Sequence, residues 1–256
     1  ARGMWFCGST PGDNEINNIE YYTIPTQGNG TDFGDATVAV RQGCALSSAT
    51  RALHLGGFDG SNRKNDIGYV TISSTGNATD YGDLTVARSQ SAGISNQTRG
   101  IAATGSASNG RREEIDYTTI ASTGNSVDFG DASGIRETSA GCQSTTRGII
   151  AGGSSPAAGV NIIEYITIMT TGDAVDFGDL SHAMANVGSN TVSSATRGVF
   201  AHGSATNIIS SLPKCGKTTL LIQMLALWSR GVIDEFLGHK IIGECPPIIL
   251  VGVDMS

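Results

Sequence analysis

One short motif returns at a constant interval. Asp-Phe-Gly-Asp stands at 32–35, 128–131 and 176–179, and its Tyr variant at 80–83, so each copy begins 48 residues after the last. A fixed period of this length commits a chain to a repeat architecture. Each unit cannot bury its own apolar face and must stack on its neighbours. The repetition runs to about residue 208, and residues 209–256 follow a different pattern.

Within one period the residue types change in a set order. A weak strand at 91–95 leads to a turn at 96–100 and then a strand of small residues at 101–105. Ile115 to Ile120 follows, a run of branched and aromatic residues suited to a half-buried pleated surface. A Thr-Gly-Asn turn then leads into the fourth strand, at Val127 to Asp131. The turn pair Thr-Arg recurs at Arg51, Arg99, Arg147 and Arg197, and the Ile/Tyr strand recurs at 19–24, 67–72 and 163–168. Four short strands in a unit of this size make one propeller blade. The expected fold is all-β: four 48-residue repeats forming a β-propeller of four or five blades, with a short α/β C-terminal extension. Either the strand before Arg197 completes the first blade and closes a ring of four, or the strand at 198–203 begins a fifth, degenerate blade.

Gly152-Gly153 ending a strand, Tyr165 in the next, then Phe177-Gly178-Asp179-Leu180, with Arg88 and Arg136 closing units, resemble the kelch repeat. Phe or Tyr stands where kelch repeats usually carry Trp. The stretch at 75–88 is also similar to repeats in virion-associated proteins of marine tailed phages. The kelch resemblance implies blades packed face to face around an axis, with the small-residue strand of each blade innermost.

Composition narrows the function classes. The net charge is −7, which argues against nucleic-acid partners, since neutralising phosphates needs clustered Lys and Arg. Cys7, Cys44, Cys142, Cys215 and Cys245 lack the spacing of a disulfide framework or a metal site and read as free thiols, although one disulfide stays open. The opening Ala1-Arg2-Gly3-Met4-Trp5 does not read as a signal peptide, and the missing initiator Met reads as processing or a fragment. The longest apolar run, 220–228, is too short to span a bilayer.

In the tail, Lys214-Cys215-Gly216-Lys217-Thr218-Thr219 matches most of a phosphate-binding loop, with Ser211 in place of the first Gly. An apolar helix over 219–229 and a strand over 247–254 are expected after it. Together they resemble the start of a RecA-like ATPase. That resemblance implies that Lys214, Gly216, Lys217, Thr218 and Thr219 hold nucleotide, with Lys217 on phosphate and Thr218 on Mg²⁺. A preceding core strand and the rest of the sheet are missing, which favours a remnant or a cap over productive ATP hydrolysis.

The repeated pairs Asp32/Asp35, Asp80/Asp83, Asp128/Asp131 and Asp176/Asp179 offer oxygens to Ca²⁺. They lack the denser Asp-x-Asp-x-Asp pattern, so turn and cap roles are the favoured reading. Phe33, Tyr81, Phe129 and Phe177 read as inter-blade core rather than sugar platforms, and the turn arginines as covers over neighbouring blades or partners of those Asp residues. His54, His182, His202 and His239 are scattered, and no catalytic constellation recurs. The expected protein is a noncatalytic, virion-associated structural or adhesion module for a protein or glycan partner or other virion proteins, otherwise cytoplasmic, with room for homo-oligomers and without a resident cofactor. The alternative is a P-loop ATP-binding protein with an accessory propeller.

Overall fold

The computed structural model describes residues 2–187 and 191–200 and two further short strands, 235–236 and 239–240. The chain divides into two units, Ala1–Thr206 and Asn207–Ser256. In the second unit, β18 (Glu235–Phe236) pairs with β19 (His239–Lys240). The expected helix at 219–229, the strand at 247–254 and the loop at Lys214–Thr219 lie outside the described residues.

The described part of the first unit is all-β and antiparallel. Sheet 1 holds β1 (Arg2–Thr10), β2 (Asn14–Thr23) and β3 (Thr31–Asp35). Sheet 2 holds β4 (Cys44–Ser47), β5 (Arg51–Phe58), β6 (Arg63–Thr71) and β7 (Thr79–Asp83). Sheet 3 holds β8 (Ala92–Ser95), β9 (Arg99–Ala107), β10 (Gly110–Thr119) and β11 (Val127–Arg136). Sheet 4 holds β12 (Ala140–Gln143), β13 (Arg147–Ala151), β14 (Val160–Thr167) and β15 (Val175–Met184). A hairpin of β16 (Thr191–Ser193) and β17 (Gly198–Phe200) begins the next unit. Each sheet is a simple meander. Among the described residues sheet 1 has three strands, and the hairpin has two.

Local chemistry explains the plan. The Thr-Arg turns are set by the residue that opens them. Ser48, Asn96, Ser144 and Ser194 each accept the backbone N–H groups two and three residues on, closing a tight hairpin. The Asp-Phe-Gly-Asp motif is itself strand, not the turn before a strand. Ile19 pairs with Gly34 and Glu20 with Asp32, so Phe33 is the extra residue of a β-bulge. Tyr81, Phe129 and Phe177 are skipped in the same way. Gly34, Gly82, Gly130 and Gly178 sit at φ of 135–141°, a region that side chains disfavour, which is why the third position is always Gly.

A second bulge accounts for the Gly-Gly ends. The first position is left-handed at Cys7, Gly56, Thr104 and Gly152, and the second lies at φ of 107–133° at Gly8, Gly57, Gly105 and Gly153. Only the second position is Gly in every copy, so Cys7 and Thr104 are tolerated variants.

The small-residue strand is not an edge strand. β5, β9 and β13 are second in their sheets, and the edge strands β4, β8, β12 and β16 approach one another from sheet to sheet. Close approach falls at Gly93, where a Cβ would lie 2.9 Å from the Ala45 carbonyl oxygen, and at Gly141, 2.6 Å from that of Gly93. Ser95 Oγ donates to the Ser47 carbonyl at 3.0 Å, and Ser193 Oγ to that of Gln143 at 2.9 Å. The apolar core lies largely between sheets: one cluster joins Ile101, Ile115 and Phe129 of sheet 3 to Ile150, Ile166 and Ile168 of the sheet 4 repeat.

Candidate functional site

The repeat builds a three-part stack. The turn arginine lies over the Tyr of the third strand: Arg2 over Tyr21 at 4.6 Å, Arg51 over Tyr69 at 4.5 Å, Arg99 over Tyr117 at 4.3 Å and Arg147 over Tyr165 at 4.5 Å. The Tyr meets the bulged aromatic edge-on, at 5.8–6.2 Å between ring centres. The guanidinium then reaches the next sheet. Arg51 donates to the Ile120 carbonyl at 3.0 Å, Arg99 to that of Ile168 at 3.1 Å, and Arg2 to that of Ile72. These arginines bond carbonyls of the following repeat rather than the repeated Asp residues.

The aspartates lie beside the same joint. Phe33, Tyr81 and Phe129 are buried by the next sheet, whose Gly-Asn turn hydrogen-bonds the bulged strand. Gly76 N–H donates to the Phe33 carbonyl at 2.7 Å, and Asp35 N–H to the Asn77 side chain at 3.0 Å. Asp83 uses Asn125 and Asp131 uses Asp173 in the same way. Desolvation raises the Asp131 carboxyl above the usual range, with Asp173, Asp128 and Glu114 adding repulsion. Asp176 alone of the first-position aspartates has a recorded Asx-type bond, accepting from Gly178 N–H at 3.1 Å. Among the described residues no three His, Cys, Asp or Glu side chains converge as a cation cage. The proposed Ca²⁺ ligands Asp32, Asp35, Asp80, Asp83, Asp128, Asp131, Asp176 and Asp179 therefore stand as separate pairs flanking four bulges.

Sheet 4 breaks the pattern. Phe177 is 55% exposed where Phe33, Tyr81 and Phe129 are 2–3% exposed. Beside it a cavity of about 250 Å³ is lined by Cys142, Ile149, Arg147, Phe177 and the β16–β17 turn. Burial pushes the Cys142 thiol up to about 11, so it is a poor nucleophile at neutral pH. A second cavity of about 230 Å³ lies between Met4 and Phe6 of β1 and Ala45, Leu46 and Ser47 of β4.

Two buried ion pairs had no counterpart in the sequence reading beyond Arg88 and Arg136 themselves. Arg88 pairs with Asp116, and Arg136 with Glu164, all four side chains at most 2% exposed. The signal was available at a separation of 28 residues: Val40/Gly68, then Arg88/Asp116, then Arg136/Glu164. In the first of these both charges are missing, Val40 standing for the base and Gly68 for the acid. Glu20 holds the acidic position in sheet 1 and is exposed.

Gln42, Gln90, Thr138 and Asn186 form a column of left-handed residues at 48-residue steps. Gln90 N–H bonds the Gln42 carbonyl at 2.7 Å, Thr138 N–H that of Gln90 at 3.0 Å, and Asn186 N–H the Thr138 hydroxyl at 3.2 Å. This column links the repeats, through backbone groups at the first two steps and through the Thr138 hydroxyl at the third. Among the described residues Cys7, Cys44 and Cys142 are free thiols, and no helix is long and apolar enough to cross a membrane. Comparison with protein-family models finds no match, and comparison with curated proteins finds none.

Proposed function

We propose that the repeats are blades of a kelch-like propeller arc, and that the chain is a noncatalytic, virion-associated scaffold presenting its loops to a protein or glycan partner. The observation that carries this reading is where the chemically capable side chains lie. Arg51 and Arg99 are engaged by carbonyls of the next sheet, and Arg88 and Arg136 by buried carboxylates. The aromatics of three repeats are interior. The variable surface left to a partner is the loops between strands. A glycan array and a pull-down from host envelope fractions test this. Selective retention is expected; specific enzymatic turnover without a binding partner would overturn it.

A nucleotide-binding reading rests on Lys214, Gly216, Lys217, Thr218 and Thr219. A thermal shift with ATP and Mg²⁺ that disappears in Lys217→Ala would establish it in place of the scaffold reading.

A further inference from the structure

The three joints between sheets 1 to 4 use one position differently. Glu15, Arg63 and Arg111 stand 48 residues apart near the starts of β2, β6 and β10, and each reaches the next sheet. Each meets a bridged pair of residues there, or one member of it: Arg41 with Phe58, Ser89 with Ser106, Glu137 with Ser154. At the first joint Glu15 Oε1 lies 3.4 Å from Arg41 Nε. At the third, Arg111 Nη2 lies 2.9 Å from Glu137 Oε1 and donates to Ser154 Oγ at 3.3 Å. At the second, Arg63 Nη2 donates to Ser106 Oγ at 2.9 Å, but Ser89 stands where Glu137 stands one repeat on. Among the described residues Arg63 makes no ion pair.

The cations beside Arg63 are already engaged. Arg41 pairs with Asp13 as well as Glu15, and Lys64 pairs with Asp59. The Arg63 guanidinium is held in place by the Ser106 bond and by the Phe58 ring, whose centre lies 5.9 Å from Cζ. Arg63 is half-buried, so solvent reaches it, and the Arg111–Glu137 pair of the third joint is half-buried too. Arg63 Nε and Arg111 Nε are both buried without an acceptor. What separates the two joints is therefore the carboxylate. A half-buried guanidinium with its orientation fixed, a hydroxyl beside it and no counter-charge suits a planar carboxylate, which matches the fork of N–H donors.

We propose that the joint of sheets 2 and 3 binds the carboxylate of a small organic acid. The carboxylate sits against Arg63 and Ser106, in the place that the Glu137 side chain takes against Arg111 and Ser154. It accepts from the Arg63 guanidinium and supplies the counter-charge that the chain itself supplies at the joints on either side. The site lies within one joint of the array and is independent of what the loops bind.

The test is a titration of the full chain with sodium acetate, replacing sodium chloride at constant ionic strength. It is read by NMR on the Nε–H groups of Arg63 and Arg111 and on the backbone amides of Ser89 and Ser106. A saturable shift is expected at Arg63, Ser89 and Ser106, while Arg111, held by Glu137, shows no saturable shift. That comparison is made within one folded protein and needs no variant. Arg63→Gln should abolish the saturable response of the two amides. Ser89→Glu supplies the carboxylate from the chain, so it should shift Arg63 before any acetate is added and remove the response to acetate. Equal, unsaturated drift at Arg63 and Arg111 overturns the proposal. So does a saturable response of the amides that survives Arg63→Gln, or one at Arg63 that survives Ser89→Glu.

Discussion

Arg88 Nη2 lies 3.0 Å from Asp116 Oδ2, with both side chains fully buried between sheets. The pair is tied in on both sides. Arg88 donates to the Glu114 and Ala102 carbonyls, and Asp116 accepts from the Thr85 amide and hydroxyl. Breaking a buried pair by removing one partner costs about 3–5 kcal/mol, because the other charge is left without compensation. Arg88→Met should therefore lower stability by that amount in urea titrations. The preceding repeat supplies its own neutral solution, Val40 with Gly68, where Thr37 lies over the glycine. Arg88→Val combined with Asp116→Gly should recover more than half of the loss. A double variant as unstable as the single would show that the pair cannot be replaced there.

The Asp-Phe-Gly-Asp glycines separate conformational strain from crowding. Gly82 and Gly178 share nearly the same φ, 139° and 135°, but a Cβ on Gly82 would lie 2.6 Å from the Gly124 backbone, while Gly178 is open. Gly178→Ala should cost about 1–2 kcal/mol from backbone strain alone. Gly82→Ala should cost at least ~2 kcal/mol more, since backbone on the next repeat must move. Equal melting-point losses would mean that the turn at Gly124 yields freely.

The period, the four-strand plan and the Thr-Arg turns were legible because each is written in residues close along the chain. The bulges were not, because a bulge is a relation between two strands. Phe33 is surplus only once Ile19 is paired with Gly34 and Glu20 with Asp32. The place of the small-residue strand within its sheet was hidden for a related reason. Gly56-Gly57 reads as close packing around an axis, but these residues form a bulge within a sheet, and the crowding across sheets falls on Gly93 and Gly141. The turn arginines read as covers over neighbouring blades or as partners of the repeated Asp; they reach the following repeat, but not through the Asp residues. Their partners are backbone carbonyls 69 or 70 residues away, which carry no side-chain signal. Phe177 looked equivalent to Phe129 because a motif does not record what packs over it.

His54 stacks on Phe6, with ring centres 5.9 Å apart, between sheets 1 and 2. Burial pushes it down from 6.5 to about 4, and Asp66 offsets part of that shift. The folded chain thus keeps His54 neutral while the unfolded chain protonates it below pH 6.5. Its contribution is complete above that value and is lost as pH falls toward 4, at up to about 1.4 kcal/mol per pH unit. Denaturant titrations at about pH 7, 6 and 5 should show this decline before most carboxylates titrate. His54→Phe keeps an aromatic against Phe6 and should flatten the profile in that window. An unchanged slope would place its origin elsewhere.

Phe129 and Phe177 occupy the same position of the same motif and differ in what lies over them. Phe129 is 3% exposed and packs with Ile166 and Ile168 of the following repeat, whereas Phe177 is 55% exposed. Both touch their own Tyr at similar distance, 6.1 and 6.2 Å, so the contacts within each sheet nearly cancel in a comparison. Phe129→Ala should then cost about 3–5 kcal/mol, as for other buried aromatic truncations. Phe177→Ala should cost less than ~1 kcal/mol when measured at dilution, where single copies prevail. The difference isolates what one repeat contributes by covering the bulged aromatic of the one before it. If Phe177→Ala proves as costly as Phe129→Ala at dilution, its ring is covered in the folded single chain.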